Sequence, residues 1–281
     1  MEHDIQLVAW DGARNNFSEI RPLTEQEIVF DKRATPIFSE ARGRFKLFHI
    51  LEFNYNDWVK YQRELLSAGP RKDDCHLVLD RLLFNFLASA YGVIEHFEVS
   101  YRQRYRKNND KLKEYESFFR QFCENSWAVS FFLDFRNYAQ HVALPIGNFN
   151  RSEDIHSIRI SITHEASSLV RDYNGWKRSK LSADKGQLDL ISLTEEYYHR
   201  LRRDYGSFMA RCFYPELVDI DAFYWALTQE VRQRNPSARM VFMTAKEETK
   251  QRTRTNVKWT FVQPPQAVYD ELGITVEKKT D

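Results

Sequence analysis

Through the middle of the chain, apolar residues recur at intervals of three and four, the period of a helix face. Leu79, Leu82, Leu83, Phe86, Leu87 and Ala90 begin the longest such run, which continues through Val93, Ile94 and Phe97. Asp73 and Asp74 suit the positive N-terminus of that helix, and Asn108-Asn109 interrupts it just after Lys107. Upstream, Asn54 or Asn56 caps a helix through Trp58, Tyr61, Leu65 and Leu66, which Gly69-Pro70 ends. Downstream, Asp110 precedes a shorter helix carrying Leu112, Tyr115, Phe118, Phe119 and Phe122. Ser126 opens the next, with Trp127, Ser130, Phe131, Asp134 and Phe135 leading into it. Pro145 disfavours helical geometry at Leu144, so this helix ends close after His141. Residues 54–147 therefore read as a bundle of about four helices.

The flanks have a different rhythm. Ile5 to Trp10 and Phe45 to Phe53 read as strands, with Pro22 and Pro36 in the polar stretch between them. From Ile155 to Thr163, polar and apolar residues alternate as in a half-buried strand. Asn174-Gly175 and Lys185-Gly186 predict hairpin connections. Helices are expected over about 193–213 and 219–234, and strands near 239–244 and 256–263. The expected class is α+β in three segments: mixed strand and loop over 1–53, the bundle over 54–147, and an α+β unit without catalytic signature over 148–281.

Composition narrows the setting. A chain of 281 residues with 15% aromatic and 29% charged residues is globular rather than disordered. No apolar run approaches the roughly 20 residues that span a bilayer, and Met1-Glu2-His3-Asp4 lacks the start of a signal peptide. Cys75, Cys123 and Cys212 are scattered, without metal-ligand spacing, and read as free thiols. A cytoplasmic protein without membrane contact is expected. Net charge is only +1, so nucleic-acid binding would need a local patch. The chain carries no glycine-rich phosphate loop, paired-histidine zinc motif or nucleophile elbow, and no cofactor or metal is expected.

Candidate chemistry centres on Phe135-Arg136-Asn137-Tyr138-Ala139-Gln140-His141. Imidazole moves protons near neutral pH, and guanidinium grips phosphate with a rigid fork of donors. Arginine, four residues, then histidine occurs five times: at Arg44/His49, Arg71/His76, Arg136/His141, Arg151/His156 and Arg159/His164. The spacing alone therefore carries no weight. Only Arg136/His141 is followed by a short amide and lies wholly inside a helical run that ends just beyond it. The plain alternative is a helix-terminal histidine bonded to the last carbonyls beside a solvated arginine.

With Arg136, Asn137 and His141 near the end of a late helix, residues 54–147 resemble the HEPN superfamily, small helical domains of RNA-targeting toxins and defence proteins. The resemblance implies a metal-independent ribonuclease, active as a homodimer whose paired motif helices share one cleft. It also implies a polar residue from an earlier helix near the arginine, for which Asn85, Ser89 and Glu95 are the candidates. The residue types supply the chemistry independently: a base removes the 2′ proton of RNA and an acid protonates the departing 5′ oxygen. His141 is the candidate acid, base or both, Arg136 holds the phosphate, and Asn137 orients the phosphate or the imidazole through its amide. Positions five apart on a helix diverge by about 140°, so Arg136 must reach around or meet the histidine of a second chain. Arg102, Arg104, Tyr105 and Arg106, in a stretch mixing basic and aromatic residues, are candidate RNA contacts; a solvated helix end explains them equally well. The rival function is a non-catalytic scaffold binding RNA, nucleotide or a partner protein. A latent toxin silenced by an antitoxin-like partner is a third.

Overall fold

A computed structural model of the chain describes residues 5–14, 16–68, 74–154, 157–245 and 257–261. The N-terminal tetrapeptide, Gly69-Pro70, Arg71, Asp73, Ile155, His156 and the outer ends of the expected strand over 256–263 lie outside the described residues. The fold is α+β, and its chain forms two compact units, Met1–Phe45 with Ala210–Asp281, and Lys46–Met209.

In the first unit, β1 (Ile5–Asp11) lies between β2 (Asn16–Pro22) and β6 (Arg239–Ala245), and β7 (Val257–Phe261) follows β6, all antiparallel. Helix α8 (Val218–Arg234) packs on β1 and β6. Arg21 on β2 forks between Glu27 at 2.8 Å and Glu230 at 2.9 Å. Glu27 lies in the first turn of α1 (Glu25–Ala68), where a carboxylate also suits the helix dipole.

Helix α1 corrects one expectation. Phe45 to Phe53 is helical rather than a strand. Phe45, Phe48 and Leu51, three apart, are buried, while Phe53 is 68% exposed. Spacing outweighs the β-rich composition there. Pro36 also lies inside α1, where it removes a backbone donor at a cost of about 3 kcal/mol. Burial of Ala34, Phe38, Ala41 and Phe45 around it holds the helix together.

The second unit takes up α1 from Lys46 and adds α2 (Cys75–Arg104), α3 (Asn109–Glu124) and α4 (Trp127–His141). A small antiparallel sheet follows, of β3 (Asn148–Glu153), β4 (Ile158–Glu165) and β5 (Gln187–Asp189) in that order. Helix α5 (Ala166–Asp172) interrupts the passage from β4 to β5. Asn174-Gly175 therefore forms no hairpin; it belongs to an irregular connection whose next residue, Trp176, is buried. Helix α6 (Leu190–Arg200) runs through a π-helical turn, Leu201–Tyr205, into α7 (Gly206–Phe213).

The unit boundaries thus fall inside α1 and α7 instead of near residues 53 and 147. The sheet after α4 belongs with the helices, whereas α8, β6 and β7 belong with the N-terminal strands. Non-local pairing decides this: Leu7 sits opposite Phe242, and no local period reports such a partner.

Helix α4 packs on α2, α3 and α6. Phe131, Phe135 and Tyr138 form a stacked series along it, with Trp176 against Phe131 at 5.8 Å. A second aromatic cluster joins Phe118 and Phe208, stacked at 3.9 Å, to Phe97, Tyr115 and Tyr205. Among the described residues, α2 alone is long and apolar enough to cross a membrane, by length and composition, and half of its most apolar stretch is buried inside the fold.

Candidate active site

Helix α4 is fixed at its start. Ser126 Oγ accepts the Val129 N–H at 3.3 Å and donates to Glu196 Oε1 at 2.6 Å. With Phe131, Phe135 and Tyr138 directed into the core, Arg136 and Asn137 come to the edge of the buried face and are half-buried. His141 occupies the last turn and is exposed.

Arg136 and Asn137 act as a pair. Arg136 Nη1 donates to Asn137 Oδ1 at 3.1 Å. Its guanidinium carbon lies 3.9 Å from the ring centre of Tyr91 on α2, a cation–π contact worth about 0.5–2 kcal/mol. Arg136 Nε is buried and has no hydrogen-bond partner among the described residues. Because arginine only donates, Asn137 must turn its oxygen toward Arg136, which leaves its amide N–H pair for another partner.

Asn137 lines a cleft of about 540 Å³ together with Tyr91, Glu95 and Arg102 of α2, Arg120 of α3, and Arg178 of the loop after α5. Glu98 and Glu116 also border it, so three arginines face three glutamates. Arg102 Nε donates to Glu98 Oε1 at 2.7 Å, and its Nη1 lies 3.6 Å from Glu116. The cleft is balanced in charge rather than basic.

Buried Asp134 places Arg178. Its Oδ2 accepts the Arg178 and Ser179 N–H groups, both at 2.9 Å, and the Ser179 hydroxyl at 3.0 Å. The Arg178 guanidinium is 3.7 Å from Asp134 Oδ1 with its side chain 50% exposed. Lys180, two residues on, has a positive φ of 49°.

The other sequence candidates are dispersed. His141 has no hydrogen bond or ion pair among the described residues and does not line the cleft. Five helical residues separate it from Arg136 by about 7.5 Å of rise and about 140° of rotation. Ser89 donates back to the Phe86 carbonyl at 2.9 Å, and Asn85 is exposed and makes no hydrogen bond to Arg136 among the described residues. Glu95 is the one of the three supporting candidates that reaches the cleft. Of the four candidate RNA contacts, Arg102 lines it. Arg104 lies 5.4 Å from the Tyr105 ring, which packs 4.6 Å from Tyr101, and Arg106 is exposed beyond the end of α2. Tyr101 is fully buried and donates to the Lys111 carbonyl at 3.0 Å, so it presents no stacking surface.

Sequence reasoning missed Tyr91, Arg120 and Arg178. Tyr91 had a signal, since it stands four residues before Glu95 on the same helix face. Arg178 had none, because a loop carries it there.

Two other reactive groups are withdrawn from chemistry. Burial pushes the Cys123 thiol up to about 11, which suppresses the thiolate. His164 is buried edge-on to Phe135 and Tyr138. Burial lowers its pKa, against the raising effects of a hydrogen bond to the Glu165 backbone and the charges of Asp172 and Glu165. Gly147 is the close neighbour that lets it in, since a Cβ there would meet His164 Cγ at 2.9 Å. Among the described residues, no group of three or more His, Cys, Asp or Glu side chains is placed to hold a metal ion.

What the fold and the cleft define is an α+β protein with a charge-balanced cleft beside an arginine–asparagine pair. No protein-family model, curated protein or solved structure matches this chain.

Proposed function

We propose that the chain is a metal-independent RNA endonuclease of the toxin or defence type, its central helices a HEPN-like domain acting as a homodimer in the cytoplasm. One observation carries the reading: Arg136 and Asn137 are locked together on the edge of α4, while His141, one turn past Asn137, stands exposed and uncommitted. The guanidinium would hold the scissile phosphate and offset the charge that grows on it as the 2′ oxygen attacks. An imidazole would move the proton, assistance typically worth about 10²–10⁴-fold. His141, exposed in the last turn of α4, is placed to act as the acid that releases the 5′ oxygen. Since the two groups diverge within one helix, the histidine reaching a given Arg136 belongs to a second copy.

The test is cleavage of a mixed-sequence RNA in excess chelator. Wild type is expected to cut, and His141→Ala and Arg136→Ala each to lose about 10²-fold or more. Full cleavage by either variant would exclude the mechanism.

A specific observation favours the second reading, a non-catalytic scaffold. The face of Arg136 is occupied by Tyr91, and the adjoining cleft carries as many glutamates as arginines. On that reading, expression in cells is harmless and Arg136→Ala changes nothing. On the first, expression is toxic and Arg136→Ala relieves it.

A further inference from the structure

The cleft beside Asn137 has its own chemistry, which the cleavage mechanism does not use. Arg102 is committed to Glu98 and Glu116. Subtracting that triad leaves three groups without a hydrogen bond or ion pair among the described residues: the Glu95 carboxylate, the Asn137 amide N–H pair and the Arg120 guanidinium. Arg178, half exposed and 3.7 Å from its nearest carboxylate, adds a second cation. Phe119 contributes an aromatic wall. The volume of about 540 Å³ falls in the usual range of small-molecule sites, roughly 300–1,000 Å³.

From these groups we infer that the cleft binds a guanine nucleotide. Guanine alone among the four bases presents two adjacent donors, N1–H and the 2-amino group, beside an acceptor, O6. A carboxylate takes both donors with its two oxygens, and an amide N–H serves O6. Glu95 and Asn137 are that pair. Adenine and cytosine each place a ring-nitrogen acceptor against the carboxylate, and uracil has a single donor flanked by two acceptors. Phe119 stacks the base, and Arg120 and Arg178 take the phosphate. The shared chemistry is a guanosine 5′-phosphate, free or within RNA. For its RNA form the inference rests on the ribonuclease reading, where the cleft selects the base next to the phosphate held by Arg136.

Isothermal titration with 5′-GMP, AMP, CMP and UMP tests the cleft, and mapping of cleavage sites on mixed-sequence RNA tests the source. The intact protein is expected to bind GMP roughly tenfold or more tighter than the other three. Glu95→Gln should remove that preference, with an unchanged melting temperature to show the exposed residue is not needed for folding. Arg120→Ala should weaken GMP but not guanosine. GMP binding with cuts enriched beside guanine identifies RNA as the source; GMP binding with unbiased cuts identifies the free nucleotide. If GMP binds and no RNA is cut, the cleft stands and the ribonuclease reading falls. RNA cut without base bias by a protein that does not bind GMP overturns the cleft and leaves the ribonuclease reading intact. Equal binding of AMP and GMP, or GMP binding unaffected by Glu95→Gln, also overturns it.

Discussion

Asp134 shows how much one buried side chain arranges. It is 1% exposed, and a single oxygen of its carboxylate receives two backbone donors and one hydroxyl. Hydrogen bonds to a charged group are worth about 1.5–3 kcal/mol each, and unpaired buried donors are costly. Asp134→Ala is therefore expected to lower stability by roughly 2–4 kcal/mol in urea unfolding. Asp134→Asn, which keeps one acceptor oxygen, should lose less. An Asn variant that loses as much as Ala would contradict the role given to the single accepting oxygen. Arg136 illustrates the opposite economy: its stacked face and its bond to Asn137 fix the fork, while the buried Nε hydrogen goes without a partner.

Among the elements, α4 is the one that aims the site, and its start is its most sensitive point. Ser126 caps the helix and also binds Glu196 on α6. Ser126→Ala should cost about 1–2 kcal/mol, with Thr substitution restoring most of it; unchanged thermal stability would contradict the capping role. This cap and the helix end at His141 were legible in the sequence, because a side-chain oxygen before an apolar run and a proline soon after it act locally. So were α2, α3 and the alternation of residues 158–163 in β4. Phe45 to Phe53 was misread because aromatic content masked a three-residue spacing. The cleft was legible only in part. Asn137, Glu95 and Arg102 were named, but nothing local reveals that Tyr91 would meet Arg136 or that a loop would bring Arg178.

Across the whole molecule, the two units are expected to respond to acid in different ranges. In Lys46–Met209, burial holds His164 below its ordinary value. A depressed histidine contributes stability above its unfolded pKa, about 6.5, and loses it as pH falls through the lower folded value. In the other unit, the Arg21 hydrogen bonds hold Glu27 at about 2. Its contribution persists above the unfolded carboxylate range, about 4.3, and fades only as pH falls toward 2. Calorimetry from pH 8 downward should show the His164-bearing unit weakening first. His164→Phe should flatten that first decline and Glu27→Gln the second; a decline that ignores both substitutions would refute the assignment.

The most direct measurement mixes two inactive chains. Arg136→Ala and His141→Ala proteins, unfolded and refolded together, form mixed dimers in which one pair of intact side chains faces across the subunit boundary. Random pairing of symmetric dimers predicts recovery of about a quarter of wild-type RNA cleavage in chelator. A mixture as inactive as its components, beside an active wild type, would contradict the shared site on which this account depends.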